Sequence, residues 1–351
     1  MLLTLPAAEA IARLGEFSTI IDARSESEFA EDRLPGAVNW PSLNDAQRKL
    51  VGTEYKQVSP FAAQKHGAAL VARNIADHIE REVIDKGRDW KPLVYCWRGG
   101  KRSASLAGVL GQIGFRVHLL EGGYREYRRA VLQALDELPT RFSYRVVCGS
   151  TGSGKSRLLQ VLRAHGAQVL DLEALANHRG SVLGLVPGSP QPSQKQFDSR
   201  VWDALRRFDP KRPVYIESES KKVGDLHVPP VLIERMRAST CIRLDLPLPA
   251  RVELLIEDYD FFVTDTEAFC ERLGALRALR GNETVNGWHE AARSGHTTQV
   301  VRDLLINHYD PIYAQSMKRN FAGIAVPHLT IEWDGSAASL DAATERAIAA
   351  G

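Results

Sequence analysis

Cys96 and a glycine-rich stretch at residues 149–156 are the parts of this chain whose residue types and spacing could do chemistry. The stretch G-S-T-G-S-G-K-S matches the phosphate-binding loop motif G-x-x-x-x-G-K-[ST], and it lies between a β-rich run and a helical pattern. Its glycines let backbone N–H groups turn toward a phosphate, and the following helix adds its dipole. We expect a diphosphate to be bound by the whole loop: Gly149, Ser150, Thr151, Gly152, Ser153, Gly154, Lys155 and Ser156.

The phosphate-binding loop does not define its ligand. Lys155 would reach the terminal phosphates, and Ser156 would bind Mg²⁺ where a metal takes part. Because the loop grips a diphosphate and not a base, ATP, GTP and an isoprenoid diphosphate all fit. Candidates for a second, acidic Mg²⁺ ligand are Glu217 and Glu219 after one strand-like run and Asp171 after another.

Cys96 ends the apolar run PLVYC and begins C-W-R-G-G-K-R-S, with a helical pattern directly after it. A thiol there meets loop N–H groups, the positive end of a helix and three cations. These features favour the thiolate, so Cys96 is expected to be a nucleophile. The same cysteine loop is an anion site sized for a tetrahedral oxyanion, with the members Trp97, Arg98, Gly99, Gly100, Lys101, Arg102 and Ser103.

Around both loops, short β-rich runs alternate with helical patterns, which predicts α/β units with parallel sheets. The pattern restarts after residues 136–144, which we interpret as a linker. A length of 351 residues also favours two domains. The net charge of +2 neither indicates nor excludes a nucleic-acid partner. Four scattered cysteines, no signal-peptide pattern and no long apolar run predict a cytoplasmic protein without a membrane segment.

Further segments of the first 138 residues resemble rhodanese domains. IIDARSESEFAEDRLPGAVNWP is similar to their opening signature, with Asp22 and Arg24 expected to support the fold, and LAGVLGQIGFRVHLLEGGYREY is similar to the part after their catalytic loop. Five residues separate Cys96 from Arg102, one more than is common in single-domain rhodaneses. The related cysteine phosphatases share this spacing, which favours a phosphate-sized group such as selenophosphate or thiophosphate.

The combination of a rhodanese-like domain and a phosphate-binding loop, with A-N-H-R-G-S and Q-P-S-Q-K-Q-F in the second half, resembles the tRNA 2-selenouridine synthases over essentially the whole chain. The resemblance implies an N-terminal rhodanese-like domain at 1–138 and a C-terminal P-loop NTPase-like parallel-sheet domain with helical additions at 139–351. It also implies a transferase that replaces the sulfur of wobble 2-thiouridine in tRNA with selenium from selenophosphate. The reaction would pass through an S-geranyl intermediate made from geranyl diphosphate.

Under this resemblance, Cys96 handles the selenium donor and the loop at 149–156 holds geranyl diphosphate. No tightly bound cofactor is expected; the co-substrates are selenophosphate and geranyl diphosphate, with Mg²⁺ as an optional addition. The expected partners are tRNA and a selenophosphate-supplying enzyme. The oligomeric state is left open.

Weaker candidates lie outside the two loops. A substrate loop would contain His178, Arg179, Gly180 and Ser181, and a geranyl tail would contact Val182, Leu183, Leu185 and Val186. Basic clusters that would contact tRNA phosphates are Arg125, Arg128 and Arg129; Lys221 and Lys222; and Arg206, Arg207, Lys211 and Arg212.

Two other functions also fit the motifs. A cysteine phosphatase coupled to a P-loop small-molecule kinase or NTPase would hydrolyse phosphate esters and need no RNA. A non-catalytic rhodanese module would dock proteins to a P-loop enzyme, although the intact Cys96 and its cations argue against this function.

Overall fold

The computed structural model describes residues 2–180, 184, 188–260 and 264–350. The chain forms two compact units. Unit 1 is Met1–Leu135 with Pro192–Asp203, and unit 2 is Asp136–Gln191 with Ala204–Gly351. No helix within the described residues is long and apolar enough to cross a membrane.

Unit 1 is built on a five-stranded parallel sheet of order β1-β5-β4-β2-β3. Its strands are β1 (Leu2–Leu5), β2 (Thr19–Asp22), β3 (Ala37–Asn39), β4 (Pro92–Tyr95) and β5 (Val117–Leu120). Its helices are α1 (Ala7–Ala12), α2 (Glu26–Glu31), α3 (Asp45–Gln57), α4 (Pro60–Glu82), α5 (Lys101–Ile113) and α6 (Gly123–Glu137), joined by most of α9 (Gln194–Leu205). All residues of the central strand β4 are buried, as its apolar sequence predicts.

Unit 2 contains a second five-stranded parallel sheet, of order β12-β11-β6-β8-β7. Its strands are β6 (Tyr144–Cys148), β7 (Gln168–Leu170), β8 (Val214–Glu217), β11 (Thr240–Asp245) and β12 (Leu329–Glu332), and an antiparallel pair is formed by β9 (Lys222–Val223) and β10 (Leu226–His227). Its helices are α7 (Lys155–Ala164), α8 (Leu172–Ala176), α10 (Pro230–Arg237), α11 (Leu248–Asp258), α12 (Thr266–Gly274), α13 (Arg277–Arg280), α14 (Asn282–Arg293), α15 (Thr297–Leu304), α16 (Asp310–Asn320) and α17 (Ala337–Ala349).

The helical additions of unit 2 have their own apolar core. Phe269, Leu273, Val285, Trp288 and Val300 pack together from α12, α14 and α15. A short π-helical turn, Leu305–Tyr309, joins α15 to α16. This part of the chain therefore supports α16, which runs beside the phosphate-binding loop.

The segment Pro192–Asp203 corrects the predicted domain bounds, because it packs in unit 1 and not with residues 139–351. Ser199 of α9 donates its hydroxyl to Asp32 Oδ2 over 3.0 Å, and Asp198 pairs with Arg128. The ring of Trp202 meets that of Tyr127 edge-on, with centroids 5.8 Å apart. Polar and aromatic contacts thus place α9 on the first unit.

The interpretation of residues 136–144 as a linker also changes. Helix α6 continues to Glu137, a 3-10 turn follows at Leu138–Arg141, and Phe142 is buried. The Tyr144 hydroxyl donates to the backbone oxygen of Pro139 over 3.1 Å. These residues form an ordered junction.

Candidate active sites

Cys96 lies directly after β4, at the carboxyl end of a central strand, where ligands of parallel sheets bind. Its residue surface is 3% exposed. The buried hydroxyl of Ser103 donates to Cys96 Sγ over 3.1 Å, and Sγ lies 3.8 Å from the backbone oxygen of Gly100. The thiol therefore faces the first turn of α5, whose N–H groups have no acceptor within the helix.

The G-G-Y sequence after β5 packs against the backbone of the cysteine loop. The backbone N–H of Tyr124 donates to the Cys96 carbonyl over 2.8 Å, and that of Arg125 donates to Trp97 over 3.1 Å. Gly123 has φ +61°, and a Cβ there would collide with the carbonyl of Cys96. Only glycine allows this approach of the two backbones, which explains the G-G turn.

The three cations of the cysteine loop differ in their surroundings. Arg102 forms an ion pair with Glu28 over 2.7 Å. Burial opposes ionisation of Glu28, but the hydrogen bond and charge of Arg102 outweigh it, so the pKa of Glu28 lies below its ordinary value. Arg98 and Lys101 are exposed. An anion beside Cys96 can therefore use the two exposed side chains while Glu28 holds Arg102.

Asp22 and Arg24 form a fully buried ion pair of 2.6 Å beneath this loop. The Arg24 guanidinium also donates to the Asp32 carbonyl and lies 4.0 Å from the centre of the Tyr124 ring. Since both charges are fully paired and hydrogen-bonded, the pair can persist out of water. The structural role expected from the D-x-R element agrees with this position.

In unit 2 the phosphate-binding loop connects β6 to α7. Lys155 Nζ donates to the Gly149 carbonyl over 2.8 Å and lies 5.5 Å from the centre of the Tyr313 ring. The Tyr313 hydroxyl accepts the N–H of Gly149 over 2.7 Å. Tyr313 of α16 thus contacts the loop at its first residue and at its lysine.

Two more side chains from distant parts of the chain fix the loop. The Arg251 guanidinium donates to the Thr151 carbonyl over 2.7 Å and pairs with Asp310 over 2.6 Å. The indole N–H of Trp333 donates to the Ser153 carbonyl over 2.9 Å. No local motif marks these residues or Tyr313, so their contacts with the loop could not be predicted from the sequence.

Acidic side chains gather beside Lys155 and Ser156. Ser156 Oγ donates to Glu173 Oε2 over 3.1 Å, and Glu217 accepts the N–H of Glu173 over 2.9 Å. Burial raises the pKa of Glu173, and it raises those of Glu217 and Glu219 well above the ordinary value. Glu173 was missed, although it follows the predicted candidate Asp171, whose side chain instead caps α8 at Ala174.

Part of the predicted substrate loop also reaches this site. His178 Nδ1 accepts the N–H of Gly180 over 3.0 Å, and Arg179 donates to the Asp258 carbonyl. Gly180 has φ +63°, and a Cβ there would meet the carboxyl groups of Glu173 and Glu219. Ser181, together with the predicted tail contacts Val182, Leu183, Leu185 and Val186, lies outside the described residues.

A cavity of about 1130 Å³ opens at the phosphate-binding loop. Thr151, Lys155, Ser156 and Arg179 line its polar part. Its apolar wall comes from α11, the turn after it and α16, and contains Leu254, Leu255, Tyr259, Ile312, Met317 and Phe321. The cavity can hold a molecule with a charged end and an apolar body.

The candidate tRNA contacts fall into different environments. Arg128 is half-buried and pairs with Asp198 inside unit 1. Arg125 and Arg129 are exposed and lie near Glu126, while Lys221 and Lys222 are exposed on and before β9. Exposed cations of this kind can meet phosphates, whereas Arg128 has a structural partner.

Two protein families match successive parts of this chain. Residues 6–130 match the family described as rhodanese-like domain, and residues 142–282 match the family described as tRNA 2-selenouridine synthase AAA domain. The chain therefore combines a rhodanese domain with a phosphate-binding α/β domain.

The relatives are more specific. This chain is 30% identical to the tRNA 2-selenouridine synthase of Alcanivorax borkumensis over 355 residues, which cover 92% of this chain and 94% of that one. It is 37% identical to that of Nitrosomonas europaea over 244 residues, which cover 68% of this chain and 63% of the relative. The chain belongs to the tRNA 2-selenouridine synthase family.

Proposed function

We propose that the protein replaces the sulfur of wobble 2-thiouridine in tRNA with selenium, through an S-geranyl intermediate. The observation that carries this proposal is the cavity of unit 2, which is lined both by Lys155 and Ser156 of the phosphate-binding loop and by apolar side chains of α11 and α16. Geranyl diphosphate has the same division into a diphosphate and a hydrocarbon chain. Family membership supports tRNA 2-selenouridine as the product.

Unit 2 performs the geranyl step in this proposal. The sulfur of 2-thiouridine attacks C1 of geranyl diphosphate, so that a C–S bond forms, the C–O bond breaks and diphosphate leaves. The N3 proton of the base is lost, which leaves the S-geranyl nucleoside neutral. Lys155 and the loop N–H groups stabilise the charge on the leaving diphosphate.

Mg²⁺ would be held at the same place by Ser156 Oγ and the Glu173 carboxylate, which already meet over 3.1 Å. The ion would add charge stabilisation to the diphosphate. Within the described residues, no group of three or more His, Cys, Asp or Glu side chains is arranged to hold a metal ion. Phosphate oxygens and water would therefore complete the coordination.

Unit 1 performs the selenium step. The Cys96 thiolate attacks the phosphorus of selenophosphate, an S–P bond forms and the P–Se bond breaks, and selenide leaves with the electron pair. Selenide then attacks C2 of the S-geranyl nucleoside, where a C–Se bond forms and the C–S bond breaks. Geranylthiolate leaves and takes up a proton, and water cleaves the S–P bond to release phosphate. No oxidant is needed.

Arg98 and Lys101 would neutralise the donor's oxygens in this step, because both cations are exposed at the cysteine loop. The exposed cations Arg125, Arg129, Lys221 and Lys222 would contact tRNA phosphates without reading sequence. A selenophosphate-making enzyme in the same cell would supply the donor.

Nucleoside mass spectrometry tests the proposal. A 2-thiouridine anticodon stem-loop is incubated with the full-length protein and geranyl diphosphate alone, selenophosphate alone, or both. We expect S-geranyl-2-thiouridine in the first reaction and 2-selenouridine only in the third. Unchanged 2-thiouridine in the presence of folded protein would refute the function and favour a phosphatase coupled to a nucleotide-using domain.

A further inference from the structure

A second cavity, of about 700 Å³, lies in unit 1 among α3, α4 and α5. Its walls are mainly aliphatic and include Val51, Val71, Ile75, Ile79 and Val109. Lys101 and Arg102 line it as well. These two residues also belong to the cysteine loop, so the cavity and the thiol site share the first turn of α5.

We propose that this cavity binds the geranyl chain of the S-geranyl nucleoside during the selenium step. The inference rests on the proposed function and adds a prenyl-binding site in unit 1, separate from the geranyl diphosphate site of unit 2. It commits to a C10 prenyl chain attached through sulfur to C2 of uridine.

The position of the cavity on α5 supports this occupant. Lys101, Ser105 and Val109 line it at intervals of four residues, so they follow one face of the helix away from the cysteine loop. A nucleoside placed with C2 at the cysteine loop would have its substituent at the start of this face. Cations meet the anionic part of the reactants, and aliphatic side chains meet the hydrocarbon.

Exposed apolar side chains also occur on α3, on α4 and at the connection between them. Tyr55, which lines the cavity, is 54% exposed, and Val58 and Phe61 at the connection from α3 to α4 are 74% and 69% exposed. Clustered exposed apolar side chains mark binding surfaces. Gly67 lines the cavity as well. A Cβ there would lie 3.3 Å from Val51 Cγ1, which is a tight contact, so the absence of a side chain at Gly67 lets α3 and α4 approach closely.

Binding of the geranyl chain in this cavity helps the reaction both before and after the C2–S bond breaks. The substrate is held while the C2–Se bond forms, and the geranylthiolate that separates when the C2–S bond breaks stays in an apolar site until it takes up its proton. The interaction is available only to a substrate with a long S-alkyl group. The cavity therefore selects the geranylated nucleoside over unmodified 2-thiouridine.

Ala68→Phe is the test, because Ala68 is exposed on α4 and lines the cavity. Its control is Ala69→Phe, at an exposed position of the same helix that does not line the cavity. Each full-length variant receives selenophosphate and a stem-loop with either S-geranyl- or S-methyl-2-thiouridine, and 2-selenouridine is measured over time. The geranyl step is assayed separately with 2-thiouridine.

We expect Ala68→Phe to lower kcat/KM on the S-geranyl substrate about tenfold. Its rate on the S-methyl substrate and its geranyl step should match those of the wild type, and Ala69→Phe should match the wild type throughout.

Equal loss on both S-alkyl substrates, or no loss on either, would overturn the prenyl site. If the wild-type protein makes no 2-selenouridine from the S-geranyl substrate, the result would instead refute the proposed function itself. Ala72→Phe, at another exposed residue lining the cavity, repeats the test should Ala68→Phe not fold.

Discussion

The hydroxyl of Ser103 donates to Cys96 Sγ over 3.1 Å, from a position with no exposed surface. In the proposed selenium step this bond would stabilise negative charge on the sulfur, both when the thiolate attacks phosphorus and when it is released from it. Hydrogen bonds to charged groups contribute about 1.5–3 kcal/mol. We therefore expect Ser103→Ala to lower the selenium step roughly ten- to hundredfold.

The same variant should accumulate a phosphoryl adduct on Cys96, detectable by intact mass after rapid quenching with acid. Ser239→Ala is the control, since the Ser239 hydroxyl donates to the Arg235 carbonyl and Ser239 lines neither cavity. A selenium adduct on Cys96 in place of the phosphoryl group would show that sulfur attacks selenium.

The two sites should fail independently. Cys96→Ala is expected to abolish selenium transfer and to leave geranylation largely intact. Lys155→Ala should lower geranylation at least about a hundredfold, because one donor to a developing anion is lost. It should still convert a stem-loop that already carries S-geranyl-2-thiouridine. Loss of both activities in both variants would contradict the division of labour.

Two glycines with similar backbone conformations make a matched pair for stability. Gly154 has φ +87°, and a Cβ there would collide with the Trp333 ring, whereas Gly166 has φ +78° and open space. Gly166→Ala should lower the free energy of unfolding by about 1–2 kcal/mol, the cost of placing alanine in a left-handed backbone conformation. Gly154→Ala should lower the free energy of unfolding further, because of the collision with Trp333, and should also abolish binding of geranyl diphosphate. Urea unfolding and a thermal shift with the ligand measure both, and equal stability losses would argue against close packing at Trp333.

Asp32 gives a prediction about pH. Burial raises its pKa, against the hydrogen bonds from Tyr124 and Ser199 that lower it. Because the folded pKa lies above the unfolded one, the folded state binds the proton more tightly, and stability falls as pH rises from the unfolded value through the folded value. Asp32→Asn removes this pH-dependent loss of stability, because asparagine does not ionise, and it keeps an oxygen that can accept both hydrogen bonds. The free energy of unfolding of the variant relative to wild type should therefore rise with pH.

Asp45→Asn is the control of opposite sign. The hydrogen bond from Ser27 lowers the pKa of Asp45, so its ionised form supports the folded state above the unfolded pKa. The variant should lose stability relative to wild type as pH rises. Urea unfolding between about pH 2.5 and pH 7 covers the range below the unfolded pKa, where Asp45 titrates, and the range above it, where Asp32 titrates. Parallel slopes for the two variants would contradict the assignment for Asp32.

Cys96 and Lys155 each lie in a strand–loop–helix unit that could be predicted from the sequence. In each unit an apolar run marks the strand, glycines mark the loop, and a helical pattern begins directly after it. Strand β1 and helix α3 carry no such local signal. Their sequences lack the β-branched run or the apolar stripe that sets such elements apart.

The supports of the phosphate-binding loop could not be predicted from the sequence. Arg251 reaches it only after β7, β8 and β11 have been added, and Tyr313 and Trp333 only after the helical layer of unit 2 as well. Each is a tertiary contact without a local pattern. The same holds for Ser199, whose partner Asp32 lies far earlier in the chain.

The assignment of α9 to the first unit has a consequence for biosynthesis. When Leu135 leaves the ribosome, the partners of Asp32 and Arg128 on α9 have not yet been translated. At a synthesis rate of about 5–20 residues per second, α9 follows several seconds later. During that interval the nascent rhodanese domain has the Tyr124 hydrogen bond to Asp32 but lacks the Ser199 hydrogen bond and the Asp198 partner of Arg128. A translational pause after Leu135 would therefore prolong the time that the domain spends without these contacts.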